Sequence, residues 1–207
     1  MPLLSDAWTA RESHRHPYRW LATEPGDLLA PDTAHRLAET FPDDGYTRRD
    51  ESTRTSGKQY RNFSREVLGP AVDVTGELPE PWRRLIAELV DPTYRARVAA
   101  LLDQEPAGSL EVRLVRHAAG DWLGPHTDRG DKLFSHILYF NPGWQEEWGG
   151  CLEILDGDDP TAVVGRVVPR LGASALLAQA SNSWHQVTAV SGTSVQSRTS
   201  LLVHGLR

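Results

Sequence analysis

Cysteine is almost absent, since the 207-residue sequence contains only Cys151. A single cysteine excludes an internal disulfide and a zinc site built from thiolates, and it is typical of proteins from reducing compartments. Any metal must therefore be bound by histidine, aspartate or glutamate side chains.

Long apolar runs are also missing. No stretch approaches the roughly 20 residues that span a bilayer, and the first residues contain no uninterrupted apolar segment of the signal-peptide type. The sequence therefore predicts a cytoplasmic protein without a membrane partner.

Positive charge is scarce as well. Twenty-two lysines and arginines stand against 28 acidic residues, which gives a net charge of -6. A broad surface that neutralises phosphates is not expected, so nucleic acid is excluded as a predicted partner. The length favours a single domain over residues 1–207, and 14 prolines and 17 glycines indicate many turns.

The first half of the chain contains three helical patterns. Apolar residues recur at helical spacing between Pro31 and Phe41, between Pro81 and Asp91, and again after Pro92. These stripes predict helices that pack on a core. The polar residues 43–59 predict a surface loop, and a lid over a site is the alternative.

From residue 109 onward the sequence consists of short apolar runs separated by Gly, Pro, Asp and Asn, which favours a sandwich or barrel over a parallel sheet. We predict a jelly-roll core at 109–207, with the helical, lid-containing part at 1–108 packed on one sheet. The predicted strands are 110–117, 132–140, 151–155, 162–168, 173–179, 184–190 and 198–204.

A candidate metal site begins in GPHTDRGDKL, residues 124–133. In an extended segment His126 and Asp128 point to the same face, and His185, at the start of a later strand, is the candidate third ligand. Two imidazoles and a carboxylate leave adjacent positions open on Fe(II), although zinc accepts the same set. His136 and His204 are predicted to be hydrogen-bonded core histidines.

Arg198 and Ser200 share one face of the last predicted strand. A guanidinium inside a β-barrel is suited to a carboxylate, and the hydroxyl adds a hydrogen bond. The alternative for Arg198 is a salt bridge with an acidic residue of the chain itself.

Five ordered segments between about Arg113 and Leu206 carry a family resemblance: RHAAGDWLGPHTD, LYFNPGW, GGCLEIL, WHQV and RTS. Together they resemble the Fe(II)/2-oxoglutarate-dependent dioxygenase superfamily, and its prolyl-4-hydroxylase-like branch in particular. The resemblance implies a mainly β fold, with a double-stranded β-helix (jelly-roll, cupin-like) core and flanking helices. It also implies Fe(II), 2-oxoglutarate as co-substrate, and O2.

The resemblance further assigns roles to individual residues. It implies that His126, Asp128 and His185 bind iron, with no catalytic residue beyond these ligands. Arg198 and Ser200 would hold the distal carboxylate of 2-oxoglutarate, and the further candidates for co-substrate binding are Tyr139 and His117. The pattern commonly has a tyrosine where this chain has His117, so prolyl hydroxylation does not follow. Gly149 and Gly150 match a double glycine that permits close backbone approach.

The predicted function is hydroxylation of an unactivated C–H bond of a small molecule, such as an amino acid or specialised metabolite, with formation of succinate and CO2. Asp128 favours hydroxylation, because related halogenases replace that carboxylate with a small residue. Alternatives are a peptidyl prolyl-type hydroxylase, a non-catalytic cupin-like metal-binding module and a zinc hydrolase. The candidate substrate-binding residues are Arg129, Arg113, Arg61 and Trp122.

Overall fold

The computed structural model describes residues 2–53 and 57–207. Within them lie three α-helices: α1 (Pro31–Glu39), α2 (Glu80–Val90) and α3 (Pro92–Leu102). The twelve strands of the described residues are β1 (Trp20–Thr23), β2 (Thr47–Asp50), β3 (Tyr60–Gly69), β4 (Val72–Asp73), β5 (Ser109–His117), β6 (Trp122–His126), β7 (Lys132–Tyr139), β8 (Leu152–Leu155), β9 (Val163–Val167), β10 (Ser174–Ala178), β11 (His185–Val187) and β12 (Arg198–Leu206).

The strands form an antiparallel, nearly closed barrel, and the mainly β jelly-roll prediction is confirmed. Hydrogen bonding follows the order β1-β10-β7-β12-β5-β3-β6-β11-β8-β9, with β2 and β4 paired to β3. Strand β12 lies between β5 and β7, so the residues at its start are enclosed on both sides.

Two apolar clusters stabilise this arrangement. In the larger one, Trp82 and Leu85 of α2 share a core with Leu114 of β5 and Leu201 of β12, which fixes the helices against one sheet. The smaller cluster lies within the barrel and includes Tyr139. Each fully buried leucine contributes on the order of 2 kcal/mol through loss of apolar surface from water.

The three predicted helices are confirmed, each with a proline in its first turn. All seven strands predicted after residue 109 are present, although residues 184–190 contain only the short β11. Among the described residues, no helix has both the length and the apolar character needed to cross a membrane.

Residues 1–108, predicted as a helical and lid-containing part, contain the three helices and also supply β1, β2, β3 and β4, which the sequence analysis did not predict. Strand β3 shows no apolar alternation, since Tyr60, Asn62 and Ser64 line a polar cavity. Residues 43–59, predicted as a loop, contain β2; residues 54–56 of that segment lie outside the described residues. Strand β6 was also missed, because it is only five residues long and contains Gly124 and Pro125.

Candidate metal centre and carboxylate pocket

Three potential metal ligands meet where β6 and β11 are paired. His126 ends β6 and lies opposite His185, the first residue of β11, while Asp128 follows two residues after His126. One ligand atom from each of the three residues lies within 4.8 Å of those of the other two. Both histidines are buried. The structure thus brings together the three side chains that the sequence analysis named as candidate metal ligands.

The two imidazoles are oriented by backbone carbonyl groups. Nδ1 of His126 lies 3.0 Å from the Gly124 oxygen, and Nδ1 of His185 lies 2.9 Å from the Ser183 oxygen. Because a carbonyl oxygen only accepts, each Nδ1 carries the proton and each Nε2 lone pair is free for a metal. Burial lowers the pKa of both histidines, which keeps them neutral as ligands must be.

Both carboxylate oxygens of Asp128 are hydrogen-bonded. Lys132 Nζ donates to Oδ1 at 2.9 Å, and the Ser135 hydroxyl donates to Oδ2. Burial alone would raise the pKa of Asp128, but the nearby positive charge of Lys132 helps to bring it well below its usual value. The carboxylate is therefore ionised and fixed in direction.

His204 closes this network. Lys132 Nζ donates to His204 Nε2 at 3.0 Å, so Nδ1 carries the proton and donates to Ser135 Oγ at 2.7 Å. Every donor in the ring has an acceptor, which is the condition for a buried polar network to add rigidity. The predictions that His204 and His136 are buried, hydrogen-bonded histidines are confirmed.

This donor set fits Fe(II). Two neutral imidazoles and one anionic carboxylate converge from one side, the arrangement known for non-haem iron sites with open positions. The bonds to Gly124, Ser183 and Ser135 orient all three ligands before any metal binds.

A second buried polar group lies on the adjacent strands. Arg198 is 2% exposed, and no carboxylate of the described residues lies within ion-pairing distance of it. Its Nε donates to the Gly150 carbonyl at 2.7 Å, and Nη1 lies 3.2 Å from His117 Nδ1 and 3.4 Å from Ser200 Oγ. The alternative of a salt bridge within the chain is excluded for the described residues, so the guanidinium charge lacks an anion.

Two neighbouring groups have unsatisfied donors. His117 Nδ1 accepts from Arg198, so its Nε2 carries the proton, and this Nε2 has no partner among the described residues. The buried Tyr139 hydroxyl also lacks one, and the Arg198 guanidinium lies 5.1 Å from the centre of the Tyr139 ring. Burial raises the pKa of Tyr139 to about 12, so the phenol stays protonated. A buried cation beside two unpaired donors fits a bound carboxylate.

The double glycine contributes directly to this pocket. Gly149 and Gly150 have φ values of +67° and +64°, a region that L side chains rarely adopt. A Cβ on Gly150 would lie 2.9 Å from Arg198 Cδ, and one on Gly149 would lie 2.2 Å from the Ala189 oxygen. The expected close backbone approach is thus present, and at Gly150 it places the carbonyl that holds Arg198.

A cavity of about 470 Å³ connects the two groups. His126, Asp128 and His185 line it together with His117, Arg198 and Ser200, whereas Tyr139 lies behind Arg198 and is not part of the wall. Side chains of β2, β3 and the segment between them form one side of the cavity: Arg49, Lys58, Tyr60, Asn62 and Ser64.

Of the predicted substrate residues, Arg113 and Arg129 line the cavity, but both form ion pairs with Glu111. Arg61 and Trp122 do not line it. Arg61 pairs with Asp50 instead.

Several lining residues were missed by sequence reasoning: Arg49, Lys58, Lys132, Ser135 and His204. A signal for two of them was present, because the sequence has only two lysines and both line this cavity. No local pattern identified the others.

A family model of the 2OG-Fe(II) oxygenase superfamily matches residues 112–204, a range that contains all three potential metal ligands and Arg198. The protein carries a 2OG-Fe(II) oxygenase domain. It is accordingly an oxygenase that uses Fe(II), 2-oxoglutarate and O2, as predicted. No curated protein matches the sequence.

The oxygenase resembles several solved structures in fold. A Pseudomonas putida prolyl-4-hydroxylase matches with a TM-score of 0.65 and 18% identity, over 99% of this chain and 97% of its own. A Trichoplax adhaerens prolyl hydroxylase, solved with a peptide fragment of the oxygen degradation domain of hypoxia inducible factor, matches with a TM-score of 0.65 and 11% identity, over 90% of this chain and 83% of its own. A Burkholderia pseudomallei oxidoreductase of the 2OG-Fe(II) oxygenase family matches with a TM-score of 0.61 and 15% identity, over 90% of this chain and 84% of its own. The predicted prolyl-4-hydroxylase-like resemblance is confirmed.

Proposed function

We propose that this oxygenase hydroxylates an unactivated C–H bond of a small molecule, such as an amino acid or specialised metabolite, and releases succinate and CO2. The observation that carries the proposal is the single cavity whose wall contains both the His126, Asp128 and His185 cluster and the unpaired cation of Arg198. Its volume of about 470 Å³ lies in the range of small-molecule sites.

In this proposal His126, Asp128 and His185 hold Fe(II) through two Nε2 atoms and one carboxylate oxygen. O2 would be the oxidant at the bound iron, with 2-oxoglutarate and the C–H bond each giving up two electrons, so the protein contributes binding, orientation and electrostatics. Lys132 and Ser135 keep the Asp128 carboxylate aimed at the metal position.

Arg198 binds the distal carboxylate of 2-oxoglutarate in this proposal. Its guanidinium is held in place by the Gly150 carbonyl, and Ser200 lies beside it. The proton on His117 Nε2 lacks an acceptor among the described residues and His117 lines the cavity, so it is suited to the same carboxylate; Tyr139 lies beside Arg198 but outside the cavity wall. Such fixed donors cost little reorganisation on binding.

Apolar side chains fill the space between the two polar groups. Val115, Leu123, Ile137, Leu152 and Val187 line the cavity, where they limit water and can hold a C–H bond against the iron position. A zinc hydrolase would have no use for the Arg198 pocket. A non-catalytic binding module would not need it together with the full ligand set.

A peptidyl prolyl-type hydroxylase is the second candidate. The two similar structures named as prolyl hydroxylases favour it, one of them solved with a peptide fragment. In that case a peptide would lie across the cavity mouth and insert a single side chain.

Substrate-dependent succinate formation tests both candidates. Free amino acids and proline-containing peptides are compared in the presence of Fe(II), 2-oxoglutarate and O2. The small-molecule proposal expects turnover with a free amino acid or another small metabolite; turnover with peptides alone would favour the second candidate.

Asp128→Ala is expected to abolish turnover, and wild-type turnover in this variant would contradict the metal assignment. Anaerobic Fe(II) and 2-oxoglutarate should produce visible charge-transfer absorption, which a non-catalytic module lacking this complex would not show.

A further inference from the structure

The cavity has an excess of positive charge, although the whole chain is negative. Among the described residues, two carboxylates line it, those of Glu111 and Asp128. Six cationic side chains of the same described ranges line it: Arg49, Lys58, Arg113, Arg129, Lys132 and Arg198. Fe(II) and 2-oxoglutarate carry equal and opposite charges, so their binding would leave this excess unchanged. The site therefore still attracts an anion after both have bound.

Four of the six cations already have a defined partner. Arg113 and Arg129 pair with Glu111, Lys132 pairs with Asp128, and Arg198 is assigned above to 2-oxoglutarate. Lys58 and Arg49 remain. Among the described residues, neither side chain has a hydrogen bond or ion pair, and the Lys58 ammonium lies 5.9 Å from the centre of the Tyr60 ring.

Lys58 is the more informative of the two, because its ammonium is desolvated. Burial lowers the pKa of Lys58 to about 8, and the charges of Lys132, Arg113 and Arg129 act in the same direction, whereas Asp128 opposes them. A partly buried ammonium without a paired anion is costly, and an oxyanion placed beside it would relieve both the desolvation and the repulsion. Arg49 is exposed and lies at the rim of the same wall.

The residue types support a specific role at this position. Only two of the 22 basic residues are lysines, and both line the cavity, while arginine supplies the remaining positive charge. Lys132 pairs with Asp128, which leaves Lys58 as the lysine without an ion pair among the described residues. A lysine ammonium binds carboxylate or phosphate as a compact point charge.

We propose, on the basis of the function proposed above, that the substrate of this oxygenase carries a small oxyanionic group, a carboxylate or phosphate, and that Lys58, assisted by Arg49, binds that group. The anion would be held where β2, β3 and the segment between them line the cavity.

Lysine-selective acylation followed by mass spectrometry tests the proposal directly. The protein is loaded anaerobically with Fe(II) and 2-oxoglutarate and mixed with free amino acids, the corresponding carboxamides, O-phosphoserine or inorganic phosphate. At least one oxyanion is expected to protect Lys58 at least tenfold, while its uncharged counterpart does not. Protection by carboxylates alone or by phosphates alone identifies the group; equal protection by acids and carboxamides, or none by any probe, overturns the proposal.

A matched pair of variants provides the second arm. Lys58→Gln is expected to raise the dissociation constant of the protecting oxyanion about tenfold, and Arg49→Gln by less, because Arg49 is exposed. Arg83→Gln, which removes an exposed arginine on α2, serves as the control and should leave binding unchanged. Equal affinity in wild type and Lys58→Gln would contradict the proposal.

The failure of this inference can be separated from failure of the proposed function. Charge-transfer absorption of the complex with Fe(II) and 2-oxoglutarate reports the metal site independently of Lys58. Intact absorption without Lys58 protection rejects only the oxyanion site. Loss of the absorption in folded protein rejects the function on which the inference rests.

Discussion

Arg198 Nε donates a hydrogen bond to the Gly150 carbonyl at 2.7 Å, so a residue of β12 is fixed by the loop that precedes β8. The loop can approach because Gly150 has no side chain, and Arg198 is thereby held in the cavity wall.

Gly150→Ala should weaken 2-oxoglutarate binding. The new methyl group would lie 2.9 Å from Arg198 Cδ, and alanine is strained at φ +64°. We expect the KM for 2-oxoglutarate to rise about tenfold, and the free energy of unfolding to fall by about 1–2 kcal/mol. Gly143→Ala is the control, because Gly143 has φ +65° but nothing within 4 Å of its Cβ position. An equal rise of the KM in both variants would contradict the contact with Arg198.

Arg198→Lys should fail to replace arginine despite its positive charge. Lysine cannot donate simultaneously to the Gly150 carbonyl and to a bound carboxylate in the geometry of a guanidinium fork. We expect the KM for 2-oxoglutarate to rise at least tenfold in Arg198→Lys, with a smaller change in kcat at saturation. In Arg198→Ala the KM should rise further. Steady-state kinetics at varied 2-oxoglutarate concentration checks this, and an unchanged KM in Arg198→Lys would refute it.

Ser135→Ala should reduce metal affinity without removing a ligand. The Ser135 hydroxyl orients Asp128 Oδ2 and accepts from His204, and loss of such outer contacts typically costs 10–100-fold in metal affinity or activity. We expect the dissociation constant of Co(II), used as a spectroscopic substitute, to increase about tenfold. Ser109→Ala, at an exposed position at the start of β5, should bind Co(II) like the wild type.

His136 should make the protein less stable in acid. It is buried, its Nδ1 contacts the Tyr94 hydroxyl, its Nε2 contacts Ser174, and burial lowers its pKa to about 3. Between pH 6.5 and about 3 the unfolded chain therefore binds a proton that the folded chain does not, so the free energy of unfolding falls as pH falls.

The His136→Leu variant isolates this contribution. Each pH unit within that window costs about 1.4 kcal/mol for one such histidine, so the slope of unfolding free energy against pH should decrease by up to this amount. Urea denaturation of chelator-treated wild type and variant at several pH values between 4 and 7 measures both slopes. Parallel slopes would show that His136 is not responsible.

The sequence predicted those parts of the molecule whose pattern is local. Amphipathic helices and apolar strands were recognisable because one face of each packs on a core. The candidate ligands His126 and Asp128 were suggested by their two-residue spacing, and His185 by its place at the start of a later strand. Strand β3 could not be recognised, because its cavity-facing residues are polar and interrupt the alternation that indicates a strand.

The same limit applies within the site. Lys132 and Ser135 contact Asp128 because the chain turns back from β6 into β7, which brings these side chains beside the carboxylate. Lys58 lies just before β3, far away in the sequence, and also lines the cavity. The unpaired state of Lys58 depends on tertiary positions, as does the pairing of Arg113 and Arg129 with Glu111. The spacing of residues along the sequence does not show which charged side chains pair in the folded protein.

Within the described residues, β2, β3 and the segment between them supply five side chains to the cavity but none of the three potential metal ligands. On the function proposed above, replacements in this part of the chain would change substrate binding and leave the proposed iron ligands intact. Evolution or engineering of this oxygenase toward other substrates would then begin there.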